Sequence, residues 1–201
     1  MQRYYGLLLF QYLYRINDYI MSKFKNTFRI ESTRLINWDY STPWWYLVTI
    51  NTKNHIEFFG KVVNDKMYLN ELGKIVDKFW EEIPNHFKNV GLDYYVIMPN
   101  HIHGIIIINP IVETGYIPSQ DKQSETPYMA SLPLGDIVGK FKAAVTRWAY
   151  KNGYSNFKWQ SRFYDRIIRN ENELFNIRRY IEQNPLKWEL EKDKPENIFD
   201  L

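Results

Sequence analysis

Short apolar runs separated by polar breaks set the first expectations for this chain. Trp45 to Asn51 (Trp-Tyr-Leu-Val-Thr-Ile-Asn) is dense in β-branched and aromatic residues and predicts a strand. Ile56 to Val63 and Lys66 to Leu69 flank Asn64-Asp65, which predicts a hairpin. Asn70 is placed to cap a helix over Glu71 to Ile83, where Leu72, Ile75, Val76 and Phe79 recur at helical spacing and Pro84 follows as its end. The most apolar stretch, Asp93 to Asn109, predicts two strands about the tight turn at Pro99-Asn100.

Further along, Gly135 to Tyr150 predicts a helix with Ile137, Val138, Phe141, Ala144, Val145 and Trp148 on one side. Phe157 to Ile168 predicts a strand. The last helix carries both of its boundary signals: Asn170 as cap with Glu173 at the capping-box position, and Pro185 as its stop. Leu174, Ile177 and Ile181 form its apolar stripe. The succession strand, helix, strand–strand, helix, strand is the split β-α-β order. It predicts an α+β fold, a ferredoxin-like (RRM-like) antiparallel sheet with helices packed on one face.

The ends and one internal segment read differently. Tyr5 to Tyr14 is apolar, too short to span a bilayer, and interrupted by Gln11. No small-residue cleavage site follows it. Residues 1–28 are therefore expected to be an extension or accessory segment, with Met21-Ser22-Lys23-Phe24 the more natural start. A domain over 29–190 and a short tail over 191–201 complete the division. Residues 110–133, rich in Pro, Ser, Gln and Gly, predict a flexible insert.

Composition adds little until it is localised. A chain of 201 residues with 45% hydrophobic positions can bury one ordinary core, and its formal net charge of +3 does not by itself indicate nucleic acid. Cysteine is absent, which fits a reducing, cytoplasmic setting and leaves only nitrogen and oxygen donors for any metal. From Asp136 to Glu189, however, 11 Lys and Arg face 6 acids. That half also holds Trp159, Phe163 and Tyr164, a combination suited to single-stranded nucleic acid. Lys140, Arg147, Trp159, Arg166, Arg169 and Arg179 are candidate contacts there, and Arg34 is one upstream. Taken singly, each such charge is more often a solvated face.

The central strands carry the candidate chemistry. Side chains alternate faces along a strand, so His101 and His103 point the same way while Ile102 turns to the core. Two imidazoles about 7 Å apart along the strand can share one divalent cation. A lone histidine on a strand is more often a satisfied core or surface residue. Two of the chain's four histidines at i, i+2 within its most apolar stretch make that reading weaker. A third ligand must come from elsewhere. On the last helix Tyr180 and Asn184 are four apart and share a face. Such a helix laid on the sheet would bring a phenol and an amide over the histidines. A phenol of pKa about 10 needs a metal to attack phosphorus and to stabilise the leaving 3′ oxygen.

Met98-Pro99-Asn100-His101-Ile102-His103-Gly104 resembles the His-hydrophobic-His motif of the single-tyrosine HUH transposases, and Arg179-Tyr180-Ile181-Glu182-Gln183-Asn184-Pro185 resembles their tyrosine helix. The Tyr-Ile-x-x-Asn-Pro form is that of the branch of REP-associated tyrosine transposases. Arg34-Leu35 to Tyr40, Val48-Thr49-Ile50, Trp159-Gln160 and Tyr164 to Glu171 agree, so the likeness runs over about Arg29 to Leu190. It implies an HUH endonuclease core acting on single-stranded DNA at or near hairpins. In that pattern Tyr180 forms a 5′-phosphotyrosine link and frees a 3′-OH. His101 and His103 bind Mg²⁺ or Mn²⁺, and Asn184 is the third ligand.

Because a residue before proline disfavours helical geometry, Gln183 competes with Asn184 for the ligand role. Members of the family act as monomers or homodimers, and no membrane association is implied. Two other readings stand beside this one: a domesticated module that binds hairpin nucleic acid without cutting, and a His-x-His metal hydrolase that does not use Tyr180. Histidine-triad nucleotide hydrolases fit less well, since Ile105 stands at their third histidine.

Overall fold

The computed structural model describes residues 21–24, 27–30, 38–110 and 133–192. The chain divides into two compact units, Met1–Trp38 and Asp39–Leu201. In the first, β1 (Met21–Phe24) pairs antiparallel with β2 (Thr27–Ile30). The expectations for residues 1–20, Arg34, most of the 110–133 insert and the end of the tail lie outside the described residues.

The second unit is built on a four-stranded antiparallel sheet, α+β as the element order implies. Its strands are β3 (Trp45–Asn51), β6 (Val90–Ile97), β7 (His101–Ile108) and β8 (Tyr164–Ile167), in the spatial order β6-β7-β3-β8. A separate hairpin, β4 (Gly60–Val63) with β5 (Lys66–Leu69), turns at Asn64 and Asp65, both at positive φ near 50–58°. Asn and Asp tolerate that left-handed backbone, which is why this pair makes a two-residue turn.

The two faces of the sheet are differently occupied. Tyr46, Val48 and Ile50 of β3 and Ile102 and Ile106 of β7 are fully buried on one face. Helix α1 (Glu71–Glu81) and helix α3 (Leu134–Lys151) carry matching buried stripes, Leu72, Val76 and Trp80 on α1 and Leu134 through Ala149 on α3, and Trp80 meets Phe141 edge-on. Gly104 makes the approach possible: a Cβ there would sit 2.3 Å from the Trp80 ring. The opposite face carries Leu47, Thr49, His103 and Ile105. There α4 (Glu171–Lys192) packs Ile177 and Ile181 against Ile105 and Ile168.

Several boundaries differ from the sequence reading, each for a local reason. Pro84 does not close α1. It lies in the first turn of a second short helix, α2 (Ile83–His86), where its missing N–H costs no hydrogen bond. The strand expected from Ile56 begins only at Gly60, because the amides of Phe58 and Phe59 both donate to the Pro99 carbonyl instead of a partner strand. The strand expected over Phe157 to Ile168 shrinks to β8. Phe157 and Trp159 turn inward onto Phe58 and Phe59, leaving a single bridge between Thr52 and Trp159.

Pro185 does not stop α4 either, and Asn184 remains helical. Beyond the proline, Trp188 lies 5.8 Å from the His101 ring centre and Glu189 accepts a hydrogen bond from the Asp65 amide at 2.5 Å. The capping reading holds, with Glu173 N–H donating to Asn170 Oδ1 at 2.9 Å and the Glu173 carboxylate accepting from the Arg169 amide.

Replacing Gly104 by alanine is expected to force the Trp80 ring off the sheet. Urea unfolding should show a loss of about 1–3 kcal/mol without loss of the folded state.

Candidate functional site

The site begins with strand register. Thr49 is paired with His103 and Asn51 with His101 across β3 and β7, so these side chains share the face that α4 covers. The two imidazole centres are 4.6 Å apart with the rings at 74°. His103 is only 8% exposed, so both of its ring nitrogens need partners. Nδ1 lies 2.8 Å from Thr49 Oγ1, and Nε2 lies 3.1 Å from the Tyr180 phenol oxygen. Sheet and helix therefore meet through one ring.

His101 is held by the turn that precedes it. The Asn100 amide nitrogen donates to the His55 carbonyl at 3.0 Å, which leaves its Oδ1 to accept from His101 Nδ1 at 2.6 Å. The His101 ring also has a hydrogen bond with Asn184. Burial pushes the His101 pKa down to about 4, opposed by the Asn184 hydrogen bond and reinforced by the charge of His55. Burial also holds His103 well below the usual histidine range, with His101 and Lys187 adding to it. Both rings are neutral at pH 7, the form that ligates metals.

The α4 side chains arrive by helical spacing. Ile177, Ile181 and Asn184 are its buried line, Asn184 at 6% exposure, while Gln183 faces solvent. Of the two ligand candidates, Asn184 is the one in contact with His101. The Tyr180 ring centre is 5.1 Å from that of His103, and the Lys187 ammonium stands 5.8 Å from the phenol ring centre. Among the described residues no group of three or more His, Cys, Asp or Glu side chains can hold a metal. The donor set here is instead two imidazoles and one amide, with Nδ1 of each ring engaged and Nε2 of His103 turned to α4. A hard or borderline divalent cation fits those donors. The His103 Nε2 lone pair can serve the phenol or a cation, but not both at once.

The candidate nucleic-acid contacts are scattered by comparison. Arg166 is paired with Glu173 at 2.5 Å, and Arg169 is exposed next to it. Arg179 lies over the Phe175 ring at 5.8 Å, and Lys140 over Phe87 at 5.2 Å. Arg147 is exposed on α3. Trp159 packs against Phe59, Phe141 and Phe157 and donates its indole N–H to the Lys142 carbonyl, so its ring is a core element in part. None of these touches the imidazole pair. Thr49, Asn100 and Trp188, which do, were not singled out from sequence. A signal existed for two of them: Thr49 is a polar position on the histidine-bearing face of β3, and Asn100 stands immediately before His101 in a turn.

Comparison with known proteins places the chain among relatives. No family model matches it. A protein of Haemophilus influenzae described as uncharacterized is 42% identical over 160 residues, spanning 79% of this chain and 89% of that protein. The chain belongs to that protein's family. Among solved structures, one titled as the REP-associated tyrosine transposase bound to a REP hairpin is similar at 16% identity and a TM-score of 0.49, over 79% of this chain and 74% of the other. No helix among the described residues is long and apolar enough to cross a membrane.

Lowered histidine pKa values tie stability to pH with a definite sign. The unfolded chain takes up protons near pH 6.5 while the folded site resists them, so stability is full above that pH and falls as pH drops toward 4. Imidazole NMR titration should show His101 neutral down to about pH 4 in the folded protein. Protonation near 6.5 would contradict the buried pair.

Proposed function

We propose that this protein is a metal-dependent single-stranded DNA endonuclease and strand transferase of the REP-associated tyrosine transposase type. It would cleave at or near DNA hairpins through a 5′-phosphotyrosine intermediate. The observation that carries this reading is the Tyr180 phenol 3.1 Å from His103 Nε2, on a helix that also presents Asn184 to His101. The motif likeness around His101, His103 and Tyr180 supports it independently.

In the proposed reaction Tyr180 Oη forms a bond to phosphorus as the bond to the 3′ oxygen breaks. The phenol proton is lost, and the departing oxygen ends as a hydroxyl. Attack of a 3′-OH on the phosphotyrosine reverses the exchange and joins two strands, so no nucleotide cofactor is consumed. His101, His103 and Asn184 would hold Mg²⁺ or Mn²⁺, which when bound neutralises charge on the phosphate and the leaving oxygen. Asn100 and Thr49 keep each ring's Nδ1 occupied, so that Nε2 faces the reaction. Tyr180 is held by its ring contact and by α4 rather than by a loop, which limits the motion needed before attack.

Incubation of the wild-type chain with Mn²⁺ and a labelled single-stranded oligonucleotide carrying a hairpin is expected to give a covalent adduct, whose formation EDTA added beforehand prevents. Tyr180→Phe should abolish it, a loss of roughly a thousandfold or more, while oligonucleotide affinity stays within about threefold. Asn184→Ala should weaken Mn²⁺ binding roughly 10–100-fold by calorimetry. Tight hairpin binding by wild type with no adduct would instead mark a binding module, and cleavage that survives Tyr180→Phe would mark a His-x-His hydrolase.

A further inference from the structure

A second feature lies beside the imidazole pair. A groove of about 800 Å³ opens between α3 and the two segments at Lys53–His55 and Lys158–Ser161. Lys53, Lys142 and Lys158 line it with His55, Tyr150 and Trp159, and no acidic side chain lies among the described residues that line it. Lys53 and Lys158 are exposed, and the Tyr150 ring is 49% exposed. Three cations with no carboxylate, beside an exposed aromatic ring, match a phosphodiester chain with bases free to stack.

The rim of this groove is tied by hydrogen bonds to the backbone that supports His101. The Lys53 amide donates to the Lys158 carbonyl at 2.8 Å, and the Gln160 amide to the Asn51 carbonyl at 2.9 Å. Lys142 Nζ donates to the Gln160 carbonyl at 2.6 Å, which fixes the second segment to α3. Asn51 stands opposite His101 in the sheet, the Thr52 amide donates to the Asn100 carbonyl, and Asn100 spans from the His55 carbonyl to His101 Nδ1. One short run of backbone therefore carries Lys53 and the support of His101, and hydrogen bonds join it to the segment bearing Lys158. Asn54 and His55 adopt positive φ, 56° and 52°, which turns this run outward at the groove mouth.

We infer that the Lys53–Lys142–Lys158 groove holds the phosphate backbone of the single-stranded DNA flanking the scissile position, with Tyr150 as a stacking surface for a base. The inference rests on the strand-transfer reading and assigns its substrate a path. Lys53 and Lys158 act as phosphate contacts, and Lys142 chiefly shapes the rim.

The test uses the full chain carrying Tyr180→Phe, so that binding is read without cleavage. Its probe is a fluorescein-labelled oligothymidylate of about 20 nucleotides, followed by anisotropy across a salt series. Lys53→Glu with Lys158→Glu should raise Kd by about tenfold or more and shrink the slope of log affinity against log salt by about 1.4, the release expected for two single-strand phosphate contacts. Tyr150→Ala should raise Kd by roughly fivefold or more with the slope unchanged. Lys74→Glu with Lys88→Glu makes the same charge change outside the groove lining, and should move both quantities much less.

Equal effects of the two charge reversals would overturn the groove assignment, leaving only net charge. So would a groove effect seen with duplex DNA or oligouridylate but not with oligothymidylate. Circular dichroism confirms folding of each variant. The adduct assay on the chain with Tyr180 intact separates the two readings. Adduct formation without a groove effect sinks the groove alone, whereas a groove effect without any adduct sinks the strand-transfer reading and keeps the groove as a DNA-binding surface.

Discussion

The imidazole of His103 is the joint of the structure. It is buried on a sheet face it shares with Leu47, Ile105 and Ile107, and a polar ring there is costly unless both nitrogens are matched. Thr49 supplies one match from the neighbouring strand and Tyr180 the other from α4. The apolar contacts of Ile177 and Ile181 with Ile105 and Ile168 bring the helix to the sheet, but they do not fix its rotation. The phenol–imidazole bond does, because a turn of the helix by one residue would leave Nε2 buried and unmatched. The same rotation sets Asn184 on His101 and Trp188 beside it.

Local order follows from that joint. Pro185 would end most helices, yet α4 runs to Lys192 because the residues beyond the proline have partners of their own in His101 and the β4–β5 turn. The preference of a pre-proline residue for extended backbone is likewise overridden at Asn184. On the other face, Gly104 removes the one Cβ that would keep Trp80 and α1 away from the strand bearing the histidines. The glycine thus lets the core face close tightly while the opposite face of the same strand carries polar rings.

Much of this was legible in the residues. β-branched runs located the four sheet strands, and the split β-α-β order implied their antiparallel arrangement. The i, i+2 histidines and the i, i+4 Tyr180–Asn184 pair each specify a face, and faces are what local periodicity encodes well. Tertiary contacts were not legible in the same way. Pro84 and Pro185 read as stops because their effect depends on where the helix register puts them and on what lies beyond. Trp159 read as a stacking surface because exposure of an aromatic ring is decided by distant partners, here Phe59, Phe141 and Phe157. Arg166 carried a charge whose partner, Glu173, was visible only as a cap. The supporting roles of Thr49 and Asn100 required the strand register and the turn geometry.

Electrostatics completes the arrangement. Burial pushes both imidazole pKa values down, while Lys53 stands on the backbone run that supports His101 and Lys142 and Lys158 come from α3 and a neighbouring segment. In the proposed mechanism one chain assembles two imidazoles, an amide and a phenol into a cation-binding, phosphorus-attacking site. Anomalous diffraction from crystals of the chain grown with Mn²⁺ tests it most directly. The account expects a single anomalous peak shared by His101, His103 and Asn184, with Tyr180 of the same chain beside it. A saturated crystal with no peak at the imidazole pair, or with the phenol turned away to solvent, would contradict it.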